Sequence, residues 1–129
     1  MCNLLLVKYK KLLYNKNDCE QKEQKGKYMK GLYDIHTHII PHVDDGADTI
    51  EITKKILQME YNDGVRTIFA TSHFRRRMFE TPMEKIRQQY LQVQQAAKEI
   101  APDLRLILGC EFHANLDMVE TLNAGKRPT

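Results

Sequence analysis

The chain has 129 residues, 42% of them hydrophobic and 29% charged. That is room for one domain of about 100–150 residues, and it excludes a disordered or low-complexity polypeptide. The net charge of +3 arises in residues 1–30, which hold eight lysines and three acids, whereas residues 31–129 hold twelve basic and fourteen acidic side chains. No nucleic-acid-binding surface is therefore expected.

The apolar runs, such as Leu4–Val7, are a handful of residues long, against about 20 for a membrane span. No transmembrane segment is expected, and no secretory leader. Cys2, Cys19 and Cys110 are odd in number, scattered, and form no C-x-x-C pair. This pattern predicts reduced thiols in an intracellular chain.

Residues 1–30 read as a basic extension. A short amphipathic helix over Leu4–Leu13 precedes a polar, lysine-rich linker over Asn15–Met29, and Met29 stands as an alternative start. Little packing of this segment on the rest is expected. From residue 31 the punctuation is regular. Leu32–Ile40 reads as a strand, and Pro41 with Asp44-Asp45-Gly46 as a turn. Asp48 and Glu51 have the spacing of a helix-start capping box, and Ile52, Ile56 and Met59 predict the buried face of the helix behind them. Gly64 suits a left-handed helix stop. Val65–Ser72 is the second strand. Thr81-Pro82-Met83-Glu84 predicts a full capping box. Met83, Ile86, Tyr90, Val93, Ala97 and Ile100 mark the buried face of that helix. Leu104–Phe112 is the third strand, and Leu116–Asn123 a short helix. The order β-α-β-α-β-α predicts an α/β fold with parallel strands and crossover helices.

Parallel α/β folds carry their chemistry at the carboxyl ends of the strands. The first strand there brings Asp34, His36 and His38, with His36 and His38 expected to point the same way. The second ends in His73, the third in Glu111, and Asp44-Asp45 lie in the loop after the first. Each piece alone is commonplace, because a His-x-His or an Asp-Asp-Gly turn usually has a structural role. Their coincidence at one sheet edge points to a divalent-metal site with nitrogen and oxygen donors, suited to Mn²⁺, Zn²⁺ or Fe²⁺.

These motifs resemble a known family. Tyr33-Asp34-Ile35-His36-Thr37-His38-Ile39-Ile40-Pro41 and Val43-Asp44-Asp45-Gly46-Ala47 are similar to the opening of the bacterial manganese-dependent tyrosine phosphatases of capsular and exopolysaccharide loci. Those enzymes belong to the polymerase-and-histidinol-phosphatase (PHP) superfamily. Gly64–Ile68, Ala70–His73, Met78–Pro82 and Gly109–Glu111 continue the resemblance in order, over about residues 31–129.

The resemblance implies the N-terminal half of a distorted (βα)₇ barrel that holds a multinuclear metal site. It implies His36, His38 and Glu111 as metal ligands, with Asp45 and His73 as ligands of a further ion and Asp44 as the lesser candidate of the aspartate pair. It implies hydrolysis of phosphotyrosine in protein by metal-activated water, with no catalytic side-chain nucleophile and with Mn²⁺ as cofactor. Cys110, without a basic neighbour in sequence, is then an inert thiol. The implied partner is a tyrosine autokinase of polysaccharide biosynthesis, and the implied location is cytoplasmic, at the inner face of the membrane through that kinase.

In Arg75-Arg76-Arg77, position favours Arg75 and Arg76 for phosphate or acidic-peptide capture, since a guanidinium binds such groups bidentately. Phe74 and Phe79 are candidates to flank an aromatic substrate ring, and His42 and His113 are spare histidines. The family domain is longer than residues 31–129, so low activity of this chain by itself is expected. The rival readings are another PHP enzyme such as a histidinol-phosphate phosphatase, an amidohydrolase, and a non-catalytic metal-binding fragment.

Overall fold

The computed structural model describes residues 31–127. The helix expected over Leu4–Leu13 and the linker expected behind it fall outside the described residues. Three parallel strands, β1 (Leu32–Thr37), β2 (Val65–Phe74) and β3 (Arg105–Phe112), stand side by side in sequence order. The crossovers are α1 (Ile50–Asn62) and α2 (Met83–Ile100), and a short α3 (Met118–Asn123) follows β3. This is the predicted α/β order.

The two long helices pack against each other and against the sheet. Ile68 and Ala70 of β2, Leu57 of α1, and Ile86, Tyr90 and Val93 of α2 form one buried cluster with the loop residues Ile39, Ile40 and Val43. Full burial of such side chains contributes about 1.5–3 kcal/mol each. Side chains alternate along a strand, so the neighbours of Ile68 and Ala70 on β2, such as Thr71 and His73, face the other side. A one-way strand order with helices on one face is the arc of a barrel rather than a doubly wound sheet. At the β1 edge Tyr33 and Ile35 stand 65% and 72% exposed.

Several boundaries differ from the sequence expectation, each for a local reason. β1 ends at Thr37 rather than Ile40. Beyond it the chain folds back, with the Ala47 amide donating to the His38 carbonyl at 3.0 Å, so Ile39 and Ile40 enter the core from a loop. The cap of α1 is Thr49, whose side chain accepts from the Ile52 amide, rather than Asp48. The buried face of α1 carries Thr53 and Leu57, while Ile52 and Met59 are 38% and 37% exposed. Thr53 buries because its hydroxyl donates to the Ile39 carbonyl at 2.7 Å, a partner that hydropathy spacing does not reveal. The second capping box does not form, since the Thr81 hydroxyl donates instead to Val43 at 2.6 Å and ties the start of α2 to the loop after β1. The α2 face of Ile86, Tyr90, Val93 and Ala97 is buried as expected. Gly64 has φ +100°, the left-handed conformation expected at a helix stop.

Glu60, half-buried on α1, has its carboxyl pushed up to about 7 by burial first and then by the charges of Asp34 and Asp63. A raised carboxyl favours folding below its unfolded value, and that contribution is lost as pH rises through the folded value. Glu60→Gln is therefore expected to be more stable than the parent at pH 8 by about 1–2 kcal/mol, after discounting for solvent screening. The two should be equal at pH 4. Thermal unfolding at both pH values measures this, and an equal gain at pH 4 would remove the electrostatic cause.

Candidate metal centre

β1 carries a register shift between Asp34 and Thr37, and His38 lies one residue past its end. Plain strand alternation therefore does not place the two histidines, yet their rings converge, with His36 Nε2 and His38 Nε2 3.3 Å apart. β2 and β3 are in regular register, with His73 opposite Glu111. This sets Glu111 Oε2 at 3.0 Å from His73 Nδ1, 3.0 Å from His38 Nε2 and 3.3 Å from His36 Nε2. Asp45 Oδ1 lies 3.3 Å from His73 Nε2. All five residues singled out as ligand candidates thus meet in one cluster, drawn from all three strand ends and the loop after β1.

The loop after β1 is held by Asp44, whose side chain is fully buried. Its Oδ2 accepts from the His73 amide at 2.8 Å and pairs with His38 Nδ1 at 3.1 Å, while its Oδ1 accepts from the Gly46 amide at 3.0 Å. Burial alone would raise this carboxyl, but the His38 hydrogen bond, the amide donors and the His38 charge outweigh it and hold Asp44 below the usual carboxylate range. Burial likewise opposes a charged His38, and the hydrogen bond and charge of Asp44, with Glu111 and Asp45, overcome it and raise its pKa. Asp44 is acceptor-only, so His38 donates to it from Nδ1, and in the neutral ring the lone pair is on Nε2, facing His36 and Glu111. Sequence reasoning set Asp44 aside as the lesser of the Asp pair. Only the folded loop shows that it orients one candidate donor ring and the backbone of another.

The donor chemistry fits divalent cations. Donor atoms bonded to one cation at about 2.0–2.2 Å lie about 2.9–3.5 Å from each other, and the His36, His38 and Glu111 atoms meet that spacing. His38 also falls within a second group with Asp45 and His73. Its Nδ1 is committed to Asp44, so that group is left chiefly with Asp45 Oδ1 and His73 Nε2. Among the described residues Asp44, Asp45 and Glu111 pair with histidines and with no lysine or arginine. Three clustered carboxylates without a fixed cation favour bound positive charge.

The flanking residues sort differently from expectation. Phe79 stacks on the His73 ring, with centroids 4.9 Å apart and 14° between planes. Phe74 is buried edge-on against Phe112 beneath the Arg127 guanidinium, so it is core rather than a substrate platform. Arg76 pairs with Asp117, and Arg75 lies against the Met78 sulfur. His42 takes a left-handed backbone in the loop, and His113 is exposed. Cys110 alternates with Glu111 and so faces away from the cluster. It does have a basic neighbour in space, Arg127, yet burial pushes its thiol up to about 11. Such a cysteine is not a thiolate at neutral pH.

A family model, capsular polysaccharide synthesis CpsB/CapC, matches residues 32–129. The chain is 48% identical over 98 residues to the tyrosine-protein phosphatase CpsB of Streptococcus pneumoniae, covering 76% of this chain and 40% of that protein. It is 38% identical over 98 residues to CpsB of Streptococcus agalactiae, with the same shares. It is 26% identical over 89 residues to a putative tyrosine-protein phosphatase CapC of Staphylococcus aureus, covering 69% of this chain and 35% of that one. The fold matches a chain from the crystal structures of YwqE of Bacillus subtilis and CpsB of Streptococcus pneumoniae, described there as unique metal-dependent tyrosine phosphatases. The TM-score is 0.67 at 23% identity, over 76% of this chain and 40% of that one. The chain spans about two fifths of the length of the CpsB proteins it matches.

Proposed function

The chain belongs to the CpsB/CapC family of capsular polysaccharide synthesis, and we propose that its histidine–carboxylate cluster is part of the active site of a metal-dependent protein-tyrosine phosphatase. The observation that carries the reading is Glu111 Oε2, within 3.0–3.3 Å of nitrogens from His36, His38 and His73. His36, His38 and Glu111 would hold one divalent cation, and Asp45 and His73 would contribute to another. When bound, such cations supply Lewis acidity toward phosphoryl oxygens and lower the pKa of water.

The chain's own residues do the positioning. Asp44 holds the His38 proton on Nδ1, so that Nε2 stays available as a donor. Phe79 keeps the His73 plane fixed between Glu111 and Asp45. To Arg75, exposed two residues beyond His73, we assign capture of the substrate's anionic groups, phosphate or acidic side chain, by its guanidinium. Arg76 would do so only by exchanging its pairing with Asp117. A thiol nucleophile is not needed, and the buried Cys110 does not offer one. The proposed metal is Mn²⁺, and the proposed substrate is the phosphotyrosine of a bacterial tyrosine kinase in capsule or exopolysaccharide assembly. The proposed location is the cytoplasm, where that kinase presents its phosphotyrosines. No described helix is long and apolar enough to cross a membrane.

The test is hydrolysis of p-nitrophenyl phosphate and of a phosphotyrosyl peptide with added Mn²⁺. It is run on the 129-residue chain and on the chain extended to the length of its relatives. Turnover lost by about 10²-fold or more in His36→Ala, and absent on amide and lactone substrates, is expected. Turnover indifferent to His36→Ala would overturn the assignment.

A further inference from the structure

Two loops leave the carboxyl edge of the sheet beside the cluster, Arg75–Arg77 after β2 and His113–Asp117 after β3. They wall an open groove of about 540 Å³. Its walls are joined at one point, where Arg76 pairs with Asp117. Arg75 and Arg77 are exposed, and among the described residues neither guanidinium pairs with a carboxylate. The turn that presents them is fixed. The Arg75 and Phe79 backbones bond to each other in both directions, at 3.0 and 2.8 Å, and the Arg77 amide donates to Glu80 at 3.1 Å. Leu116 in the groove lining is fully exposed, and Met78 on the same turn is 59% exposed. Apolar surface is thus set beside the two guanidinium groups.

We propose that this groove binds an acidic stretch of peptide, the residues flanking a phosphotyrosine offered to the metal centre. The inference rests on the phosphatase reading and adds to it a sequence preference in the substrate. The charge pattern is the argument. Residues 31–129 carry more acids than bases, so a run of three arginines is a local exception, placed beside the donor cluster and not spread over a face. A nucleic acid would meet repulsion from the rest of residues 31–129, where acids outnumber bases, whereas a short acidic segment needs only the groove. Guanidinium groups pair bidentately with carboxylates, and the peptide's methylenes would lie on Leu116.

The experiment is fluorescence anisotropy on the 129-residue chain in EDTA. It uses an unphosphorylated peptide with glutamates on both sides of one tyrosine and its glutamine counterpart. The acidic peptide should bind about tenfold tighter at low salt, and the preference should shrink as salt is raised. The double variant Arg75→Ser/Arg77→Ser, altered only at exposed side chains, should lose most of that preference. Equal binding of the two peptides, an unchanged preference in the double variant, or displacement of the peptide by an oligonucleotide of equal charge would overturn the proposal. The readout is metal-independent, so it separates the two readings. An acidic preference without phosphate-ester turnover by the chain extended to the length of its relatives refutes the phosphatase reading alone, and turnover by that extended chain without the preference refutes the groove alone.

Discussion

Asp44→Ala is expected to weaken divalent-metal binding by about 10–100-fold, although Asp44 is not itself one of the proposed donors. The buried carboxylate does three things at once. It fixes the proton of His38 on Nδ1, it satisfies the His73 amide, and it satisfies the Gly46 amide of its own loop. Without it His38 can turn over or carry its proton on Nε2, and that nitrogen then no longer faces Glu111 with a lone pair. The His73 amide also loses its acceptor at the end of β2, at a cost of about 1–3 kcal/mol of stability. Asp44→Asn should fall between alanine and the parent. One amide oxygen can still accept from His38 or the His73 amide, but the NH₂ then meets another N–H and the negative charge is gone. Isothermal titration with Mn²⁺, beside thermal unfolding in EDTA, separates lost affinity from lost fold. Parent-like affinity in Asp44→Ala would show that other contacts fix the His38 ring.

The part of this arrangement visible in the sequence is the part governed by local rules. Strand and helix order followed from apolar periodicity and turn residues. The gathering of His36, His38, His73, Asp45 and Glu111 followed from where parallel sheets end their strands. What stayed hidden depends on contacts between segments far apart in the chain. Thr53 looked polar and Ile52 apolar, yet Thr53 is buried because the Ile39 carbonyl awaits its hydroxyl, which turns the α1 face by one residue. Thr81 read as a capping residue, but Val43, 38 positions earlier, takes its hydroxyl. The two aspartates look alike in a list of residues. They differ only once the loop buries Asp44 against His38 and leaves Asp45 43% exposed toward His73. The sole local sign of that fold-back is the glycine that follows them.

Gly46→Ala is accordingly expected to damage the site as severely as the loss of a ligand. A Cβ on residue 46 would sit 2.3 Å from the His38 carbonyl oxygen, 2.5 Å from His38 Cβ and 3.0 Å from Asp44 Oδ1. Ordinary contact begins near 3.4 Å, so the loop must withdraw by about 1 Å, and the nearest atoms belong to a backbone and a stem that cannot swing aside. The loop is also clamped. Ala47 donates to the His38 carbonyl, Val43 accepts from Thr81, and Asp44 accepts from the His73 amide. Withdrawal therefore strains several bonds together, at a cost of about 1–3 kcal/mol by analogy with overpacked cores. It also moves Asp44 off His38 and Asp45 off His73. A loss of at least about tenfold in Mn²⁺ affinity should accompany the lower unfolding temperature. Gly109→Ala is the control in the same sheet. There the nearest obstacle is the Thr71 methyl at 3.1 Å, a side-chain tip that needs to give by only a few tenths of an ångström. Equal losses in the two variants would mean that close approach of the 44–47 loop to His38 is not what the glycine at 46 provides.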